Sequence, residues 1–133
     1  MINYFSKYKF FFYLSNFILI ILYLFPGSIL GWLLYSNSSL QPQITPNLNL
    51  MVSTNHVYAF LVLSFIGFFT YKKIEQFRSI SIYLITLSTI LEILHFLIPE
   101  RSFEFSDLFG NLTGVIIVII IFYFYKKNEN FKN

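Results

Sequence analysis

Ionisable and amide side chains gather in segment 92–114, although apolar runs precede and follow it. An ionisable group costs at least about 2.5 kcal/mol at the centre of a membrane helix, so a membrane chain that groups several of them usually uses them. Carboxylate and imidazole groups exchange protons near neutral pH, and a guanidinium binds carboxylate or phosphate through its fork of donors. With one earlier histidine, these side chains are the candidate ligand-binding residues: His56, Glu92, His95, Arg101, Asp107 and Asn111.

Four of these six candidates also have a purely structural interpretation. Glu92 is either a proton acceptor or ligand for a cationic group, or a carboxylate that pairs with Arg101 to fix the fold. Arg101 either binds an anion or holds Glu92 or Asp107. Asp107 precedes an apolar run and would serve as a helix N-cap. Asn111 is typical of a hydrogen bond between membrane helices.

Glu92 and His95 form an E-x-x-H pair, which can present two metal ligands on one helix face. With His56, this pair would make a zinc set of two imidazoles and one carboxylate. The spacing is short and the residue types are common, so the sequence predicts no metal and no cofactor. No Gly-x-Ser-x-Gly elbow is present, and no Ser-x-x-Lys motif lies near the candidate residues, so nothing in the motifs around them favours a hydrolase.

The composition is that of a membrane protein. The chain has 133 residues, enough for one domain, of which 56% are apolar and only 11% charged. The net charge is +3 and the basic residues flank apolar runs instead of forming a basic face, which argues against nucleic-acid binding. With no cysteine, disulfides and thiolate chemistry are excluded.

Four runs are long enough to span a bilayer as helices, which predicts an all-α, integral membrane four-helix bundle. We place the spans at 10–35, 52–71, 80–98 and 108–125. The first is too long for a secretory signal and lacks a small-residue cleavage pattern. Pro26 would kink it, and Gly27 and Gly31 have the GxxxG spacing that lets a partner helix approach closely.

Basic residues in the loops give the orientation. The lysines and arginines of the loops and termini fall on one side of the four spans, with the exception of Arg101. By the positive-inside rule, this distribution places both termini in the cytoplasm. The polar segment 92–114 then faces outward, as in a multi-pass protein of the bacterial inner membrane. The first outer loop, 36–50, is polar with two prolines and is predicted to be irregular.

Helical spacing places the polar residues on shared faces. A rise of about 1.5 Å per residue puts Glu92 roughly 9 Å below the outer end of the third span and Asn111 at a similar level. The stripes are Ser53, His56, Ser64 and Gly67 on the second span, Ser81, Ser88, Glu92 and His95 on the third, and Asp107, Asn111 and Gly114 on the fourth. Since polar groups facing lipid would be unpaired, we predict an outward-opening polar pocket among the last three spans.

These residues resemble the pattern of the VanZ-like membrane proteins. Members of that family carry a histidine early in one span and later E-x-x-Q, a proline and an arginine, then D-x-x-x-N-x-x-G. The corresponding residues here are His56, Phe60, Glu92, Pro99, Arg101, Asp107, Asn111 and Gly114. The resemblance covers about the last 80 residues. His95 stands where the family usually has glutamine, and Ser53 where lysine commonly precedes the histidine.

The resemblance implies a single VanZ-like domain over residues 1–133, in a small cell-envelope protein whose family namesake is associated with teicoplanin resistance. It supplies no reaction. We expect the pocket to bind a polar or anionic envelope molecule, such as an envelope lipid or a glycopeptide-related ligand. The alternatives are a membrane-embedded hydrolase or transferase acting on lipid-linked substrates, and a structural subunit packed through Gly27 and Gly31. Whether the protein is an enzyme stays open.

Overall fold

The computed structural model describes residues 4–45 and 51–130, and this part of the chain is helical without strands. Its elements are α1 (Tyr4–Leu24), α2 (Ile29–Tyr35), α3 (Thr54–Thr70), α4 (Ile74–Leu94), a single 3-10 turn (His95–Leu97) and α5 (Phe105–Asn130). Three helical segments within it are long and apolar enough to cross a membrane: Lys7–Leu24, Ile74–Leu97 and Phe105–Asn128. The apolar helix α3 is shorter.

The prediction of one continuous helix over 10–35 is wrong. The helix breaks after Leu24, because Pro26 lacks the N–H that would continue the hydrogen-bond ladder and Gly27 has a φ of +71°. Ser28 then caps α2 by accepting a hydrogen bond from the Gly31 N–H at 3.0 Å. Since α2 has seven residues, it is far too short to cross a bilayer.

The other predicted spans correspond to single helices with shifted ends. Helix α3 lies inside the predicted 52–71, and α5 extends beyond the predicted 108–125 at both ends. Helix α4 begins six residues before the predicted 80, because the side chains of Glu75 and Arg78 are exposed and therefore do not stop the helix. The described part of the first loop, up to Thr45, is irregular as predicted, and residues 46–50 lie outside the described residues.

Contacts at both ends show that α1 and α3 run antiparallel. Thr70 at the end of α3 donates to the Tyr8 carbonyl at 3.2 Å. At the opposite end, the Tyr23 hydroxyl lies 3.0 Å from His56 Nδ1. We call this second end, which also holds Glu92, His95, Asp107 and Asn111, the polar end.

Helix α5 is antiparallel to α4 and parallel to α3, which also begins at the polar end. At the end opposite to the polar end, the Lys126 ammonium donates to the Lys72 carbonyl at 2.7 Å and lies 5.5 Å from the centre of the Phe77 ring. We call this the basic end; Lys72, Lys73, Lys126 and Lys127 lie there. The four long helices therefore alternate in direction, with the chemically reactive side chains concentrated at one end.

Two glycines set the close approach of α5 to α3, the most extensive helix pair in the described chain. A Cβ on Gly110 would lie 2.6 Å from the Ser53 carbonyl oxygen. A Cβ on Gly114 would meet the backbone of Val57 and Leu61. Gly110 and Gly114 are thus the GxxxG pair that packs two helices in this fold.

The predicted helix partner site at Gly27 and Gly31 is wrong for this structure. A Cβ on Gly27 would lie 2.8 Å from the Ser38 carbonyl oxygen, and one on Gly31 would collide with the Leu40 carbonyl. Both glycines are buried under the chain's own loop, so the surface that a second helix would need is already covered. The small size of these two glycines here allows the close approach of the loop at Ser38 and Leu40, and not of a second helix.

Candidate functional site

Five of the six predicted site residues meet at the polar end. His56 lies in the first turn of α3, Glu92 and His95 lie at the end of α4 and in the 3-10 turn, and Asp107 and Asn111 lie in the first two turns of α5. Glu92 and Asn111 are 0% exposed, His95 2% and His56 5%. The shared level predicted from the helical rise is therefore observed, and it places polar groups where lipid does not reach them.

The Asn111 amide links three helices to α5. Its Oδ1 accepts a hydrogen bond from the Tyr23 hydroxyl at 2.6 Å and lies 3.0 Å from His56 Nδ1. Its Nδ2 donates to the Ser88 carbonyl at 3.2 Å. Because that carbonyl accepts only, the amide orientation is fixed, with Oδ1 toward α1 and α3.

This network determines which nitrogen of His56 carries the hydrogen. Asn111 Oδ1 has no hydrogen to give and the Tyr23 hydroxyl donates to it, so His56 Nδ1 must be the donor. In the neutral ring, Nε2 then carries the lone pair. His56 Nε2 lies 3.4 Å from Asp107 Oδ2, which is another acceptor. A positive charge, from a proton or a cation, is needed between these two atoms.

His95 and Glu92 form a second buried pair. His95 Nε2 donates to the Tyr23 carbonyl at 3.1 Å, and Nδ1 lies 3.2 Å from Glu92 Oε1. Glu92 Oε1 also accepts the Glu104 N–H at 3.2 Å. Since the carbonyl fixes hydrogen on Nε2, the Nδ1 to Oε1 contact requires a further proton, on the imidazole or on the carboxyl. The other oxygen, Oε2, is buried without a hydrogen-bond partner.

Arg101 caps α1 and forms no ion pair with a carboxylate among the described residues. Its Nε donates to the Phe25 carbonyl at 3.2 Å and its Nη2 to the Leu22 carbonyl at 2.9 Å. The alternative in which Arg101 holds Glu92 or Asp107 is therefore wrong, because the carbonyls released by the break in the first span take its donors. Partial burial lowers the pKa of the Arg101 guanidinium, which nevertheless stays protonated at physiological pH.

Asp107 is not the N-cap that the sequence predicts. Helix α5 begins at Phe105, and the N–H groups of Asp107 and Leu108 donate to the Glu104 carbonyl, each at 3.1 Å. The Asp107 carboxylate instead lies beside His56. It is still in the first turn of α5, where the helix dipole favours negative charge.

Tyr23 is the site residue that the sequence analysis missed. It is 7% exposed and contacts His56, Asn111 and His95 together. A tyrosine in a Phe- and Leu-rich run carries no distinctive signal by itself. The signal in the sequence is Asn16, a polar residue in the same apolar run, seven residues before Tyr23 and therefore on the same helix face. This spacing indicates the face of α1 that packs inward, and Asn16 is indeed buried.

In the described part of the chain, three cavities lie at the polar end. A mainly apolar one of about 560 Å³ lies between α1 and α3, under the loop 41–44, and reaches His56, His95 and Arg101. A polar one of about 220 Å³ lies beside Gly27, Arg101 and Asp107. The third, of about 370 Å³, borders His56 and Asp107 where α3 and α5 begin. The largest of these three cavities lies beside α1, outside the last three spans among which the polar pocket was predicted, whereas the third lies between two of those spans.

Comparison of the chain with models of known protein families, with curated proteins and with solved structures gave no match. The chemistry of the site itself is therefore the basis for assigning a function. That chemistry combines the buried pair of His95 and Glu92, the pair of His56 with the partly buried Asp107, a guanidinium with two of its donors in use, and an apolar cavity next to them.

Tyr23→Phe tests whether the hydroxyl organises the site. We expect a loss of about 1–2 kcal/mol in unfolding free energy, because the hydroxyl donates to Asn111 and its removal leaves His56 short of a partner. SDS titration of the protein in mixed micelles measures the change. Tyr13→Phe is the matched control, since Tyr13 is 60% exposed and its hydroxyl bonds the Tyr71 hydroxyl at 3.1 Å, away from the polar end. Equal losses for the two variants would contradict an organising role.

Proposed function

We propose that this chain is a VanZ-like four-helix membrane protein that binds an anionic amphiphile of the bacterial cell envelope. The apolar chain of the ligand would occupy the cavity between α1 and α3, and its anionic head would lie at the polar end beside Arg101. The single observation that carries this proposal is that the apolar cavity of about 560 Å³ and the polar cavity of about 220 Å³ share Ser28, Gln41, His95 and Arg101.

The size and lining of these cavities suit such a ligand. Small-molecule sites commonly have volumes of about 300–1,000 Å³, with apolar walls and a few polar groups that orient the ligand. The walls of the larger cavity are Ile18, Leu19, Leu22, Ala59, Val62 and Leu63 from α1 and α3. An acyl chain lies against such walls at no cost in polar desolvation.

Arg101 supplies the anion-binding group. Two of the five N–H groups of its guanidinium are used by the carbonyls of Leu22 and Phe25, which hold the side chain in place. The remaining donors suit a phosphate or carboxylate. A guanidinium fixed in advance loses less side-chain entropy on binding than a free one.

The charge distribution supports an outward-facing site. The basic end carries Lys72, Lys73, Lys126 and Lys127, and by the positive-inside rule it faces the cytoplasm. Both chain termini are then cytoplasmic, and the polar end faces the cell exterior or periplasm. The order of His56, Glu92, Arg101, Asp107 and Asn111 in the VanZ-like pattern supports the same functional region.

Arg101→Gln tests the assignment of the anionic head. Native mass spectrometry of the purified protein, with phosphatidylglycerol and phosphatidylcholine of identical acyl chains, measures lipid retention. We expect wild-type protein to prefer phosphatidylglycerol, and Arg101→Gln to lower that affinity about tenfold or more, because a hydrogen bond to a charged group contributes about 1.5–3 kcal/mol.

Arg78→Gln is the matched control, because it removes the same charge from an exposed side chain near the start of α4, at the basic end. It should leave retention within about threefold, which corresponds to less than 1 kcal/mol. Ala59→Trp, which narrows the apolar cavity, should weaken both lipids. The proposal is refuted if wild-type protein shows no preference, or if Arg101→Gln and Arg78→Gln reduce retention equally.

A second candidate function is hydrolysis or group transfer on a lipid-linked substrate. The observation that favours it is the His56 and Asp107 pair, which borders the cavity of about 370 Å³ and thus meets solvent or substrate. His56 would then be the general base, in place of the Glu92 or His95 expected from the sequence. Turnover of lipid-linked phosphate esters that is lost in His56→Gln would support it, and absence of turnover would refute it.

A further inference from the structure

We propose that the polar end holds a divalent cation, bound by His56 Nε2, Glu92 Oε2 and Asp107 Oδ2. The three side chains come from α3, α4 and α5. One ligand atom from each lies within 4.8 Å of the other two. This site differs from the zinc set considered from the sequence, because His95 is engaged elsewhere and Asp107 takes its place.

The distances suit a metal after small side-chain rotations. Bonds from Zn²⁺ to imidazole nitrogen or carboxylate oxygen are about 2.0–2.2 Å, so two tetrahedral ligands lie about 3.4 Å apart. His56 Nε2 and Asp107 Oδ2 already lie 3.4 Å apart. Glu92 Oε2 lies 3.9 Å from the other ring nitrogen, Nδ1, so the Glu92 side chain has to rotate toward Nε2 to complete the set.

The hydrogen-bond network prepares His56 as a ligand. Its Nδ1 donates to the Asn111 and Tyr23 oxygens, which directs the Nε2 lone pair toward Asp107. Metal-binding histidines nearly always donate their second ring N–H to an oxygen in this way. The Nε2 lone pair and the Asp107 carboxylate repel each other, because both are hydrogen-bond acceptors. A cation between them would be attracted to both and would remove this repulsion.

Glu92 gives an independent observation. Its Oε2 is completely buried and has no hydrogen-bond partner, whereas Oε1 is bonded to both His95 and Glu104. A buried carboxylate oxygen without a partner is expensive, and coordination of a cation satisfies it. The unpartnered oxygen faces the side of the cluster on which His56 lies.

The third cavity leaves room for a further ligand. It contains His56 and Asp107 in its wall and is lined by Ser53, Thr54 and Ser106. With three protein ligands, a tetrahedral ion keeps one position for water or for an anionic group. One imidazole with two carboxylates suits Zn²⁺ or Mn²⁺, since thiolates are absent and a nitrogen ligand disfavours Ca²⁺ and Mg²⁺. The proposal does not depend on the amphiphile proposed above.

The test is calorimetric titration of chelator-treated, full-length protein in detergent with ZnCl₂ and with MnCl₂. We expect one saturable site per chain for at least one of these ions. Asp107→Asn and Glu92→Gln should each weaken binding at least tenfold, because each removes one anionic ligand atom. Far-UV circular dichroism and size-exclusion profiles verify that the variants are folded.

Glu104→Gln is the matched control, since it removes an exposed negative charge close to the site without removing a proposed ligand. Its affinity should stay within about threefold of the wild type. The metal site is refuted if wild-type protein binds neither ion saturably, or if Glu104→Gln weakens binding as much as Asp107→Asn. ¹⁵N spectra that show hydrogen on both ring nitrogens of His56 in the presence of saturating metal would equally refute it.

Discussion

Gly114→Leu is expected to prevent α5 from docking on α3. Even a single Cβ at this position would meet the backbone of Val57 and Leu61, which cannot rotate away as a side chain can. Overpacking of a well-packed core typically costs about 1–3 kcal/mol, and a clash with backbone is expected at or above the upper end of that range. SDS titration in mixed micelles, followed by far-UV circular dichroism, measures the loss of unfolding free energy.

Ile116→Leu provides the control for that prediction. It introduces the same residue two positions later on α5, where the side chain is 46% exposed and has room to change shape. Its unfolding free energy should stay within about 0.5 kcal/mol of the wild type. If Gly114→Leu is as stable as Ile116→Leu, the close contact between α5 and α3 is wrong.

Asn111→Leu is expected to cause the second large effect, because this side chain joins α5 to three other helices. The substitution removes the bonds from Asn111 to the Tyr23 hydroxyl, to His56 Nδ1 and to the Ser88 carbonyl. A hydrogen bond between membrane helices contributes about 0.6 kcal/mol on average and at most about 1.7 kcal/mol. Three such bonds lost together predict a destabilisation of about 2–4 kcal/mol.

Asn16→Leu tests whether connectivity, and not merely a buried amide, produces this effect. Asn16 is also buried, but its Oδ1 accepts from Tyr83 at 2.6 Å while its Nδ2 bonds the Phe12 carbonyl within α1. Because Asn16→Leu removes one interhelical hydrogen bond, the expected loss of unfolding free energy is about half that of Asn111→Leu or less. Comparable losses in SDS titrations of the two variants would argue against Asn111 as the central link of the polar end.

These two positions separate packing from polar organisation. Gly114 acts through the absence of a side chain, which lets α5 contact the backbone of α3. Asn111 acts through its amide, whose oxygen faces α1 and α3 and whose nitrogen donates to α4. If the cation site is present, Asn111→Leu should also weaken Zn²⁺ binding, because the Nδ1 bond that orients His56 is lost. Gly114→Leu acts by separating the helices, so its effect on the metal should follow its effect on folding.

The sequence by itself determined the helical class and the level of the polar groups. Apolar runs of membrane length allow only helices, because the backbone has to satisfy its own hydrogen bonds in lipid. The regular rise of a helix then brings His56, Glu92 and Asn111 to one level, as observed. Pro26 indicated an irregularity in the first run. The sequence predicted a kink at this position, whereas in the structure one helix ends and a second begins.

Only the tertiary structure decided the partners. Arg101 bonds the carbonyls of Leu22 and Phe25, because a helix that ends inside the protein exposes acceptors that no local pattern reveals. Tyr23 joins the site for a similar reason, since its role depends on which face of α1 meets α3. Helical spacing specifies the depth and face of a side chain within its own helix. The distances between helices depend on how they pack, and those distances placed Asp107 beside His56.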